Sequence, residues 1–172
     1  MKRPVRTLTT LVLLLSPMLL GGAAPTHRPA IAALFTSTNF RRLDRLEQLP
    51  EPVRNHLVSH FGPEPSGSKS VIANPNEPFN AGDAIDIRFP MRRLMFAGTS
   101  DSLSFVYYVH GGIALHYHVV IYQRGVTEPV FSGTLIASRG GRYREPPATI
   151  DELKQWLNAG DVAGDATENR DW

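Results

Sequence analysis

The stretch Val106-Tyr-Tyr-Val-His-Gly-Gly-Ile-Ala-Leu-His-Tyr-His-Val-Val-Ile-Tyr122 decides the fold. β-branched and aromatic residues fill it on both sides of Gly111 and Gly112, which is the composition of two strands around a turn. The first of these strands spans residues 103–110 and the second residues 115–123. Two further strands follow the same logic, over 93–98 and 130–138, separated from their neighbours by Thr99, Ser100, Asp101 and Ser102 and by Arg124 and Gly125. Upstream, Ile85, Ile87 and Phe89 alternate with Ala84, Asp86 and Arg88, the period of a half-buried strand that Pro90 ends. Connections this short favour an antiparallel meander of four to five strands.

The flanks have a helical period. Phe40, Leu43 and Leu46 follow the capping residues Ser37, Thr38 and Asn39. Val53, Leu57, Val58 and Phe61 form a second stripe between Pro50 and Gly62. Residues 62–80, rich in Pro, Gly and Ser, read as a long loop. At the far end Thr149 and Glu152 have capping-box spacing, ahead of Ile150, Leu153, Trp156 and Leu157. Helices, then consecutive strands, then a helix predict an α+β domain over 38–160. Its N-terminal helical hairpin and C-terminal helix are expected on one face of the sheet. Residues 24–37 read as a flexible lead-in and 161–172 as a disordered acidic tail.

Residues 1–23 fit a cleavable export signal. Lys2, Arg3 and Arg6 precede a mostly apolar run over 8–20, and Gly21, Gly22 and Ala23 offer small residues for cleavage. The run is shorter than the ~20 residues of a spanning helix. The expected location is therefore the periplasm or exterior of a bacterial cell, without stable membrane insertion. Those 23 residues hold three of the 18 basic residues and none of the 16 acidic ones, leaving a nearly neutral mature chain of 15 against 16. That balance argues against a nucleic-acid partner. The chain has no cysteine, which excludes disulfides, thiolate metal ligands and a thiol nucleophile.

His116 and His118 lie two apart on one strand and share a face, where two imidazoles can hold a transition-metal ion. His110 is the nearest third ligand, and the turn decides whether it joins them. A two-residue Gly111-Gly112 turn, the form Gly-Gly favours, pairs Tyr107 with His116 and sends His110 to the opposite face. A three-residue loop pairs Tyr108 with His116 and gathers all three. The His-x-His pair matches part of the cupin metal motif. However, residues 121–123 supply no carboxylate, and no histidine follows His118.

Other candidates are weaker. His56 and His60 are four apart on a helix but lack the glutamate of a zincin, so they read as a surface pair. Asp83 and Asp86 read as a solvated strand end. Arg139, Arg142 and Arg144, interleaved with Gly140, Gly141 and Tyr143, could grip an anion. Tyr107 and Tyr122 could line a ligand face beside the histidines. No catalytic motif is present, and no cofactor is called for beyond a transition metal on the histidines. The sequence therefore predicts an exported binding or envelope-associated protein, with a small molecule or an envelope protein as partner. The alternative is a histidine-ligated or hydrolytic exported enzyme.

Overall fold

The computed structural model describes residues 28–62, 71–139 and 142–163. The expected signal segment and the tail after residue 163 lie outside the described residues. Strand β3, Leu103–His110, is buried at every position but its last. It pairs antiparallel with β2, Arg92–Thr99, on one side and with β4, His116–Gln123, on the other. The six-stranded sheet runs β1-β2-β3-β4-β5-β8, with β1 over Arg41–Leu43, β5 over Pro129–Leu135 and β8 over Val162–Ala163. A separate small hairpin joins β6, Ser138–Arg139, to β7, Arg142–Tyr143.

The apolar run of β3 needs cover on both faces, as a strand buried on two sides does. Phe105 and Tyr107 of β3, with Val119 and Ile121 of β4, face one way. There they meet helix α1, Arg28–Ser37, through Phe35, and helix α3, Ile150–Asn158, through Leu153 and Trp156. Val106, Tyr108, Val120 and Tyr122 face the other way, onto Val53 and Leu57 of helix α2, Glu51–Phe61. The α+β class and the antiparallel meander are as the sequence predicts. The helices divide between the faces, α1 and α3 on one and α2 on the other. Helix α3 starts on its capping box, with Thr149 Oγ1 accepting from the Glu152 amide and the Glu152 carboxylate accepting from that of Thr149.

Four expectations are corrected. Residues 28–37 are not a flexible lead-in but helix α1. Phe35 anchors it, fully buried 4.8 Å from the Phe40 ring and 5.1 Å from that of Phe105. The pattern of Phe40, Leu43 and Leu46 does not make one helix. Residues 41–43 pair with Ala97, Gly98 and Thr99 as edge strand β1, and Leu46–Gln48 form a 3-10 turn. The open edge of β2 takes a partner, and that tertiary pairing overrides local helix period. Residues 161–163 are ordered as well, because β8 adds to β5 through Thr134 and Leu135.

The fourth correction concerns residues 84–89, which form a loop and not a strand. Asn80, itself buried, supplies the hydrogen bonds that a neighbouring strand would have given. Its Nδ2 donates to the carbonyls of Asp86 (2.9 Å) and Phe89 (2.6 Å), and its Oδ1 accepts from the Asp86 amide (2.7 Å). Its own amide donates to the Pro90 carbonyl at 2.9 Å. The bracketed loop then abuts the β3–β4 connection. Gly111 donates its amide to Met91, and a Cβ at Gly111 would sit 1.6 Å from the Asn80 carbonyl oxygen. Gly112 takes φ +121°, a conformation that favours glycine.

The two glycines therefore serve close approach and a wide loop, not a two-residue turn. The connection spans residues 111–115, and His110 lies opposite His116. Gly111→Ala is expected to lower the unfolding free energy by about 3 kcal/mol or more, because the neighbour it meets is rigid backbone. Gly82 has open space where a Cβ would go. Gly82→Ala is accordingly expected to be neutral to about 1 kcal/mol stabilising. Urea denaturation of both variants measures the contrast.

Candidate functional site

The wide loop sets the even-numbered positions of β3 and β4 on the α2 face, so His110, His116 and His118 share that face. The expectation that a two-residue turn would turn His110 away is corrected by the register. His110 faces His116 across the strands, and Tyr108 faces His118. The His118 ring lies 6.3 Å from that of His110 and 6.4 Å from that of His116, centroid to centroid. His118 is held on two sides. It stacks on Tyr108 at 5.1 Å, and its Nδ1 is 3.1 Å from Thr134 Oγ1. His116 is exposed and His110 half-exposed. As arranged, no group of three or more His, Asp or Glu among the described residues is set to hold a metal ion.

The same face carries the histidines of α2, which are not the surface pair that their sequence predicts. His56 is 11 % exposed and sits against the sheet, its Nδ1 3.0 Å from the Tyr122 hydroxyl and its Nε2 3.3 Å from a Glu128 carboxylate oxygen. A carboxylate only accepts, so in the neutral ring Nε2 carries the proton that faces Glu128 and Nδ1 accepts the Tyr122 O–H. Burial, and secondarily the Glu128 charge, holds the Tyr122 hydroxyl well above its usual pKa, so the donor keeps its proton. His60 stacks on His56 at 5.5 Å and touches Phe61, and Phe61 meets Tyr108 edge-on at 5.5 Å. Arg92, buried, lies 4.0 Å over the Phe61 ring. The five histidines of the described residues thus fall along one aromatic path from Glu128 to the β3–β4 loop.

Of the expected ligand-binding residues, the two tyrosines do not come together. Tyr107 and Tyr122 belong to opposite faces of the sheet. Burial raises the Tyr107 pKa above its usual value, and its hydroxyl is enclosed without a hydrogen-bond partner among the described residues. Arg139 and Arg142 oppose each other in the β6–β7 hairpin. Arg144 is committed to Asp161 at 3.0 Å and to the Trp156 ring at 4.4 Å. A recess lined by Ile31, Ala32, Ile121, Phe131, Leu157 and Val162 holds about 20 Å³, room for one water-sized group.

What the structure does present is exposed aliphatic side chains on two touching loops. Ile85 is 60 % exposed, Ile87 66 %, Ile113 93 % and Leu115 47 %. All four sit on the two loops that meet at the contact of Asn80 with Gly111. In sequence the alternation of Ile85 and Ile87 has the period of a half-buried strand, whereas both side chains stand in solvent. Asp86 and Arg88 pair on the same loop. Comparison with protein-family models, with curated proteins and with solved structures gives no match.

The side-chain and backbone donors of Arg88 hold the Asp86 pKa down, to about 2 from its ordinary 3.8. A carboxylate depressed by folding adds stability above its ordinary pKa, and that contribution disappears as pH falls through about 2. Carboxyl carbon NMR is expected to show Asp86 titrating near pH 2 in the parent chain, and higher but still below 3.8 in Arg88→Ala, where the backbone amide of residue 88 still donates to the carboxylate.

Proposed function

We propose that this chain is an exported binding protein that docks an envelope protein through its apolar loop end. The observation that carries the reading is the exposure of Ile85, Ile87, Ile113 and Leu115 on two interlocked loops. Single exposed aliphatic residues are ordinary, but a group of four on a braced surface has the character of an interaction site. Bracing matters energetically: the hydrogen bonds of Asn80 fix residues 80–90 before any partner arrives, so little loop entropy remains to be lost on docking. The surface is made of loop tips, not of a concave pocket, which favours a macromolecular partner over a small molecule. The near-neutral mature charge argues against a nucleic acid. Export rests on residues 1–23.

A photoreactive amino acid at Ile113, introduced in the organism that makes the chain, tests the docking. The expected result is one discrete cross-linked adduct that disappears when Ile85 and Ile87 are both replaced by Asp, with normal amounts of processed, folded protein. An adduct pattern that ignores the double replacement contradicts the assignment, and so does the lack of any adduct.

A further inference from the structure

We propose that His110, His116 and His118 form a binding site for a late first-row divalent transition-metal ion of the zinc or copper kind. The site lies where β3 and β4 leave the sheet. It is independent of the docking reading, since it is made of sheet positions and not of loop tips.

Three observations carry it. First, the register puts His110 directly opposite His116, with His118 two residues along the same strand and face. Directly opposed Cβ atoms in an antiparallel pair lie about 5 Å apart, within the span of two imidazoles on one ion. Second, His118 is already oriented. Thr134 engages its Nδ1 and Tyr108 stacks on its ring, the kind of support that fixes the orientation of a ligand imidazole. Third, the donors are imidazole nitrogens, which suit zinc, copper and nickel rather than calcium or magnesium.

The rings do not yet converge. Three imidazoles on one ion at ~2.1 Å have centroids about 5 Å apart, whereas His118 stands 6.3 and 6.4 Å from its neighbours. The difference is of the size that a rotation of a surface side chain closes, and the two rings that must move are the exposed His116 and the half-exposed His110. One ligand is fixed and two are adjustable. Three protein nitrogens leave at least one position on the ion for water or an external ligand.

The test is titration of the mature, untagged protein with zinc(II) and, separately, copper(II), followed by calorimetry and thermal unfolding, in a His27→Ala background so that the histidine nearest the mature N-terminus does not contribute. The expected result is one equivalent of metal and a rise in Tm on binding. Affinity should fall at least tenfold in His116→Ala and in His110→Ala, and severalfold in Thr134→Val through loss of orientation alone. His116 is exposed, so its replacement leaves the fold intact. The His56 and His60 rings stack at 5.5 Å and could chelate by themselves, so His60→Ala is the decisive control and should change nothing. Loss of binding in His60→Ala with retention in His116→Ala overturns the proposal, as does the lack of saturable binding of either ion.

Discussion

The rest of the molecule depends on the contact between Asn80 and Gly111. Asn80 uses its side-chain amide to close the loop over residues 80–90 on itself, and its carbonyl lies where only a glycine can approach. The approach holds Gly111 against Met91 and opens the β3–β4 connection to five residues. A shift of one residue in that connection would exchange the two faces of β4. The register thereby decides which aromatic residues meet α1 and α3, which meet α2, and on which side the histidines stand. The same contact leaves the isoleucines of both loops in solvent. Core packing and the exposed apolar surface have one origin.

The α2 face is closed mostly by aliphatic residues such as Leu57, Ile72 and Val120, with the phenol rings of Tyr108 and Tyr122 set among them and the His56 ring against Tyr122. Each polar atom there has to be satisfied inside the protein, since an unpaired buried group costs about 1–3 kcal/mol. His56 does this for Tyr122 and hands its own second nitrogen to Glu128 at the rim. The phenol of Tyr122 and the imidazole of His56 are thereby made compatible with burial. The same face grades from buried at Tyr122 to exposed at His116, so histidines that look alike in sequence serve different ends: His56 packs, and His116 is open to a ligand.

Strand content was legible because β3 and β4 are dense in Val, Ile, Phe and Tyr, and residues 103–110 form a strand as the sequence predicts. Helices α2 and α3 were legible from their stops and caps, Gly62 at φ +69° and the pair of Thr149 and Glu152. What failed depended on partners distant in sequence. Residues 41–43 carry a helical period, yet β2 recruits them as an edge strand. Ile85 and Ile87 alternate like strand residues, yet Asn80 replaces the strand that would have paired with them. The position of His110 hung on whether two glycines turn tightly or admit a neighbouring backbone, and glycine is suited to both. Phe105, Tyr107 and Trp156 against Val106, Tyr108 and Leu57 show that the apolar run of β3 called for cover on two faces. That requirement is written in the sequence as the unbroken apolar and aromatic run from Phe105 to Val109.

The most direct test of the account is the set of interstrand nuclear Overhauser contacts between β3 and β4 in the isotopically labelled protein. The account predicts backbone contacts between His110 and His116 and between Tyr108 and His118. Contacts between Tyr107 and His116 would mean a two-residue turn, would send His110 to the face of α1 and α3, and would contradict both the role given to Asn80 and the grouping of the three histidines.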